Sequence, residues 1–212
     1  MAGLLKGLYL WENNVFMKYL AIPLFLLMVA CGGDQDHADH AAHDAAVVVE
    51  PKALPGDPAS QLLGAYYQLK SSLVEADSLA ADSAALALAG LAKDIDVKEL
   101  VADSSQVLLA STLLDSIADA SSVLAKSEDL TARRRVFSQL GGHILSLLKH
   151  TDYGASTVYV QECPMAFNDT ETASWLSDAS EIVNPYLGKK HPKYSSGMLH
   201  CGDLKDSIMV KH

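Results

Sequence analysis

With 212 residues, half of them hydrophobic, and a formal net charge of −10, the chain has room for one ordinary domain plus appendages. Such an acidic chain lacks the basic surface that displaces counterions from phosphates, which excludes a general nucleic-acid binder. The same charge suits a soluble domain that attracts cations weakly.

Met1 to Phe16 has no evident role, and Met17 is the expected true start. From there Lys18, the apolar run Leu20 to Ala30 and Cys31 read as a signal peptide, because the run is far shorter than the ~20 residues of a spanning helix. Leu27-Met28-Val29-Ala30-Cys31 resembles a bacterial lipobox, which implies lipidation of Cys31 and a membrane anchor in the cell envelope, expected on the outer membrane facing the periplasm. Residues 1–30 are therefore set aside as signal peptide and residues 31–57 as a lipidated tether. The tether has no hydrophobic period and cannot offset chain entropy by burial. It carries His37, His40 and His43 at a spacing of three, among Asp34, Asp36, Asp39 and Asp44. Neutral imidazoles bind Cu, Zn or Ni, so the three are weaker candidate metal ligands; the plain alternative is a solvated linker.

Residues 58–152 read as helices. Asp57-Pro58 is a cap followed by a proline at the first helical position, and Leu62, Tyr66, Leu69 and Leu73 recur at helical spacing to about Glu75. A second helix is expected near Ser78 to Ile95, with Ala81, Ala85, Leu88, Ala92 and Ile95 on one side and alanines that permit a close neighbour. A long third helix is expected from Val97 to about Lys126, its stripe of Leu100, Val107, Leu114, Ile117 and Leu124 diluted by Ser104, Ser111 and Ser121. The fourth is capped at Ser127 and runs to Lys149 and His150, with Leu130, Phe137, Leu140, Ile144 and Leu147 as its core face. Gly141-Gly142 either bends it or admits another backbone. Arg133, Arg134 and Arg135 read as a solvated basic patch with acidic partners.

After Asp152 the helical period stops, and residues 153–212 read as a small module packed on the helices. Thr157 to Val160 predicts a strand, Asn168-Asp169 a turn, and Thr172 to Ile182 a short helical or irregular piece holding Trp175. Asn184-Pro185 and His191-Pro192 mark loops, and a second strand is expected around Leu204 to Val210. Two sulfur pairs bracket this module: Cys163 with Met165, and Met198 with Cys201, His200 lying inside the second. Thiolates and thioethers are the soft ligands that select Cu(I), so Cys163, Met165, Met198, His200 and Cys201 form the candidate metal site. The competing reading is a Cys163–Cys201 disulfide with the methionines packed in a core. If Cys31 is lipidated, these are the two cysteines left, and an even pair in an exported chain reads first as a disulfide.

The same stretch is similar to a known family. Cys163-Pro164-Met165-Ala166-Phe167, then Ala173-x-Trp175-Leu176-Ser177, Glu181-Ile182-x-Asn184-Pro185-Tyr186-x-Gly188 and Met198-Leu199-x-Cys201-Gly202 resemble the domain of unknown function DUF3347, the resemblance running from about Ala59 to the C-terminus. That family occurs in Bacteroidota envelope proteins, alone or attached to periplasmic adaptor subunits of copper/silver efflux pumps. The resemblance implies metal handling in the envelope and a metal-efflux adaptor as partner. The chain departs from the pattern in a longer insert, Lys189 to Gly197, before Met198.

No Gly-rich phosphate loop, His-Glu-x-x-His or Gly-x-Ser-x-Gly elbow is present. Cys163 as nucleophile with His200 as base is disfavoured by Pro164 and by the exported setting, and no enzymatic activity is expected. The expected fold class is mainly α: an up-and-down four-helix bundle followed by a small strand-containing Cys/Met module. The expected function is binding or passing a soft metal ion, most of all copper as Cu(I). The alternative is a structural or interaction lipoprotein with a disulfide staple and an envelope protein as partner.

Overall fold

A computed structural model describes residues 56–151 and 156–208, so the signal peptide, Cys31 and the histidines of the tether lie outside the described residues. The described chain is mainly α with a small antiparallel sheet. It holds helices α1 (Pro58–Glu75), α2 (Ser78–Asp94), α3 (Val107–Leu124) and α4 (Leu130–Lys149), then strands β1 (Val158–Phe167), β2 (Glu171–Ser177) and β3 (Asp203–Ile208).

Helix α1 starts where Asp57 and Pro58 predict. The Asp57 carboxylate accepts from the N–H groups of Ala59 and Ser60, and Pro58 supplies a fixed φ with no donor to satisfy. Leu62, Tyr66, Leu69 and Leu73 are fully buried along one face. The helix ends at Ala76, in the left-handed region at φ 55°, where the N–H groups of Ala76 and Asp77 close on the carbonyls of Leu73 and Ser72. Asp77 then caps α2 through the N–H of Ala80. Helix α2 lies against both α1 and α3 with its small-residue face inward, Ala81, Ala85, Leu88 and Ala92 being buried. Helix α4 packs on α3 and also touches α1.

The long third helix is broken. Val97–Glu99 and Ser104–Gln106 are single 3-10 turns, and the α-helix begins only at Val107. The cause is local competition for the backbone: Asp96 accepts from the N–H of Lys98, and Asp103 accepts from the N–H and hydroxyl of Ser105. Leu100 and Val101, between the turns, are buried as an anchor. The cap of α4 also differs from expectation. Asp129 takes the N–H of Ala132, whereas the Ser127 hydroxyl donates back to the Val123 carbonyl. The Gly141-Gly142 pair leaves the helix unbroken. A Cβ at Gly141 would sit 3.0 Å from the Tyr66 hydroxyl, so the glycine there makes room for α1.

The expected acidic partners of the arginine run are present at Arg133 and Arg135, but only Arg135 is solvated, since Arg133 and Arg134 are buried. Arg133 holds Asp82 of α2 with two bonds of 2.7 and 2.9 Å, and Arg135 pairs with Glu171 of β2 at 2.8 Å while lying over the Phe167 ring. Arg134 donates to the Leu73 carbonyl at 3.1 Å, placing a cation at the negative end of α1. The carboxylate of Glu171, beside the Arg135 guanidinium and the Asn168 amide, is held below its ordinary range.

The C-terminal region has three strands in the order β2-β1-β3, all antiparallel to their neighbours, in place of the two expected. Trp175 lies in β2, in place of the helical or irregular piece expected over Thr172 to Ile182. Asn168 and Asp169, at φ 52° and 61°, turn β1 into β2 with the two positive φ values that a tight hairpin requires. Two polar ties dock β2 on α1. The N–H of Leu176 donates to the Tyr66 hydroxyl at 3.2 Å, and Lys70 Nζ reaches the Ser177 hydroxyl at 2.9 Å. Burial pushes the Lys70 ammonium below its ordinary range, and Asp178 opposes that shift. One hydrophobic cluster runs without interruption from Leu62 of α1 through Phe137 of α4 to Cys163, Trp175 and Tyr186.

Candidate functional site

Strand β1 carries Cys163 into the core, where it is fully buried, while Pro164 is exposed and Met165 half-buried. The chain after β2, residues 178–202, wraps back so that Cys201 meets it: the two Sγ atoms are 3.3 Å apart and both thiols are free. A side chain that the sequence marks only as part of a loop brings them together. Asn184 is fully buried; its Nδ2 donates to the Cys201 carbonyl at 2.6 Å and its own N–H to the Leu199 carbonyl at 2.8 Å. Its Oδ1 accepts from the N–H groups of Tyr186 and Leu187 at 2.8 and 3.0 Å. Four hydrogen bonds from one residue thus fix the returning segment against the Asn184–Gly188 turn. The visible signal was Asn before Pro-Tyr-x-Gly, which marks a turn but not its distant partner.

Tyr186, from the same turn, packs edge-on to Trp175 and Phe167 and donates its hydroxyl to the Ser174 carbonyl. Burial raises its phenol well above the ordinary range, an effect to which nearby Cys163 adds. On the far side, a Cβ at Gly202 (φ 145°) would lie 2.8 Å from the Glu162 carbonyl and 3.0 Å from the Trp175 ring, so glycine lets Cys201 press against β1. Gly188 is equally constrained: at φ 57° its Cβ would lie 2.8 Å from both Arg134 Nη2 and the Val74 carbonyl. Gly188→Ala is therefore expected to cost roughly 2 kcal/mol or more, read as a lower urea midpoint at unchanged m-value. A midpoint within error of the wild type would show that the turn relaxes freely.

Cys201 rests as a neutral thiol. Burial, then the contact with Cys163 and the charge of Asp203, push the Cys201 thiol up to about 11. A metal ion or an oxidant must therefore displace the proton, and a resting thiolate nucleophile is disfavoured. Met165 and Met198 are both half-buried against the same core. His200 is exposed and its Nδ1 lies 2.7 Å from the Ile182 carbonyl, which makes Nδ1 the donor and leaves Nε2 as the acceptor of the neutral ring. Among the described residues no group of three or more His, Cys, Asp or Glu side chains comes together to hold a metal ion, so His200 does not join the two cysteines in such a cluster. The structure thus unites the two cysteines of the predicted site and not its histidine.

No curated protein and no solved structure matched the chain. A family-model match begins within α1 and stops before β1, so the Cys/Met motif lies beyond it. Residues 62–155 match the family described as "Protein of unknown function (DUF3347)", the same family that the C-terminal motif resembles.

Proposed function

We propose that this is a lipid-anchored envelope protein that binds or passes a soft metal ion, Cu(I) foremost, through Cys163 and Cys201. The observation that carries the reading is the contact of two free thiols, one buried and one half-exposed, on a shared core with two methionines. Paired thiolates, supplemented by thioethers, are the donors that favour Cu(I) over harder divalent ions. In this reading the helices form an up-and-down bundle that supports the strand module as one domain. Cys31 carries the lipid on the outer membrane, and the metal is exchanged with a metal-efflux adaptor. His37, His40 and His43 act as an outlying capture segment for the same cargo, and no enzymatic step is involved.

The test is a Cu(I) titration of the reduced protein against a competing chelator. One ion per chain is expected, with affinity rising as pH rises, because the Cys201 proton must leave. Met165→Leu and Met198→Leu keep volume and apolar character, yet each is expected to weaken binding roughly tenfold, about 1.4 kcal/mol. Two leucine variants that bind as tightly as the wild type would remove the thioethers from the site.

A second reading is favoured by one observation: no third His, Cys, Asp or Glu side chain joins the pair among the described residues. Here Cys163 and Cys201 form a structural disulfide, and the protein acts by contact with an envelope partner. Such a staple binds no Cu(I) at stoichiometric levels.

A further inference from the structure

The segment before Met198 contains a turn whose geometry depends on an uncharged imidazole. His191 and Ser195 exchange backbone hydrogen bonds, with the Ser195 N–H 2.8 Å from the His191 carbonyl and Ser195 itself at φ 50°. Inside this turn, His191 Nδ1 accepts from two successive backbone N–H groups, those of Lys193 at 3.2 Å and Tyr194 at 3.3 Å. The ring is stacked on Tyr194, with centroids 5.0 Å apart. Downstream, the N–H of Gly197 donates to the Tyr194 carbonyl and that of Leu199 to the Ser196 carbonyl, so the turn leads directly into the Met198–Cys201 segment.

We infer that His191 is a pH-sensitive latch: its protonation opens the His191–Gly197 turn and loosens the segment that delivers Met198 and Cys201. A protonated imidazole has no acceptor atom, so Nδ1–H would point at two N–H donors and both bonds to the ring nitrogen would be lost and replaced by repulsion. The surrounding charges act in the same direction on balance. Arg134 of α4 and Lys193 of the turn oppose a cation at His191, and Asp169 of the β1–β2 turn favours one. That carboxylate is already engaged by Lys193 Nζ and by the Tyr194 hydroxyl. Burial together with these cations depresses the imidazole below its ordinary range. The unfolded chain then binds the proton more readily than the folded one. The turn is therefore fully stable above the usual imidazole range and loses stability as pH falls through it.

This inference stands apart from the soft-metal reading, since its readout needs no metal. Amide hydrogen-exchange protection factors, which are corrected for the intrinsic pH dependence of exchange, are measured for Ser195 and Gly197 in the full chain. Between about pH 7.5 and pH 5 they are expected to fall at least about threefold, while amides of α1 and α4 stay level. His191→Asn keeps a side-chain acceptor for the two amides but cannot take a proton, and should hold protection constant over the same range. His191→Ala, with no acceptor, should show the low protection at every pH. Flat wild-type protection, or an unchanged pH dependence in His191→Asn, would overturn the latch.

Discussion

Oxidation of Cys163 and Cys201 to a disulfide, a two-electron step that releases both thiol protons to an external oxidant, is expected to stabilise the fold by about 4 kcal/mol. The sulfurs are already in contact at 3.3 Å, so closing the bond asks little of the backbone, and the cysteines are 38 positions apart. Constraining a loop of that length removes entropy chiefly from the unfolded chain. Urea midpoints should therefore separate clearly between oxidised and dithiothreitol-treated wild type, and coincide for Cys201→Ser under both conditions. A reduced protein as stable as the oxidised one would mean that the Asn184 clasp alone already confines residues 178–202, even in the unfolded ensemble.

Trp175→Ala carries the other large effect. The indole is 1% exposed, sits across the sheet from Gln161, meets Tyr186 at 5.8 Å between centroids and backs onto Gly202. Its removal leaves a cavity between the sheet and the returning segment, with an expected loss of about 3–5 kcal/mol in urea unfolding. Because one core joins the sheet to α1 and α4, the variant should still unfold in a single transition. Separate melting of sheet and helices would show instead that the C-terminal module is an independent unit. The same cavity lies next to Cys201, so the variant should also form its disulfide less readily than the wild type does.

How legible this was in the sequence depended on how local each cause is. Helix α1 was readable to the residue because its cap, its proline and its stripe all lie within the element. The break before α3 was missed although its cause is also local. The apolar spacing over Leu100, Val107 and Leu114 is helical, and it outweighed the capping power of Asp96 and Asp103, each of which turns the backbone at its own position. Strand β2 was misread because Glu171–Ser177 lacks a clean run of β-branched residues. Its pairing with β1, and the docking of Leu176 and Ser177 on Tyr66 and Lys70, decide the conformation. The burial of Arg134 was beyond any local reading, since the acceptor at the end of α1 lies 61 residues away.

The candidate site divides the same way. That Cys163 and Cys201 would meet followed from an even pair of cysteines bracketing one module, and the two sulfurs do meet. The means of their meeting, Asn184 and the two glycines at positive φ, is a tertiary arrangement that turn statistics only mark. His200 shows the opposite limit. Adjacency to Cys201 placed it in the predicted ligand set, but successive residues at the Met198–Cys201 turn point in different directions, and its ring turns to the Ile182 carbonyl.

The most direct measurement is the thermal unfolding of the reduced protein with and without Cu(I), in wild type and in the Cys163→Ser/Cys201→Ser double variant. A ligand bound by the folded state alone stabilises it by mass action, about 4 kcal/mol at a thousandfold excess over its dissociation constant. The soft-metal account predicts a Cu(I)-dependent rise in the wild-type midpoint that is absent from the double variant. A wild-type midpoint indifferent to Cu(I), or an equal rise in both proteins, would contradict it.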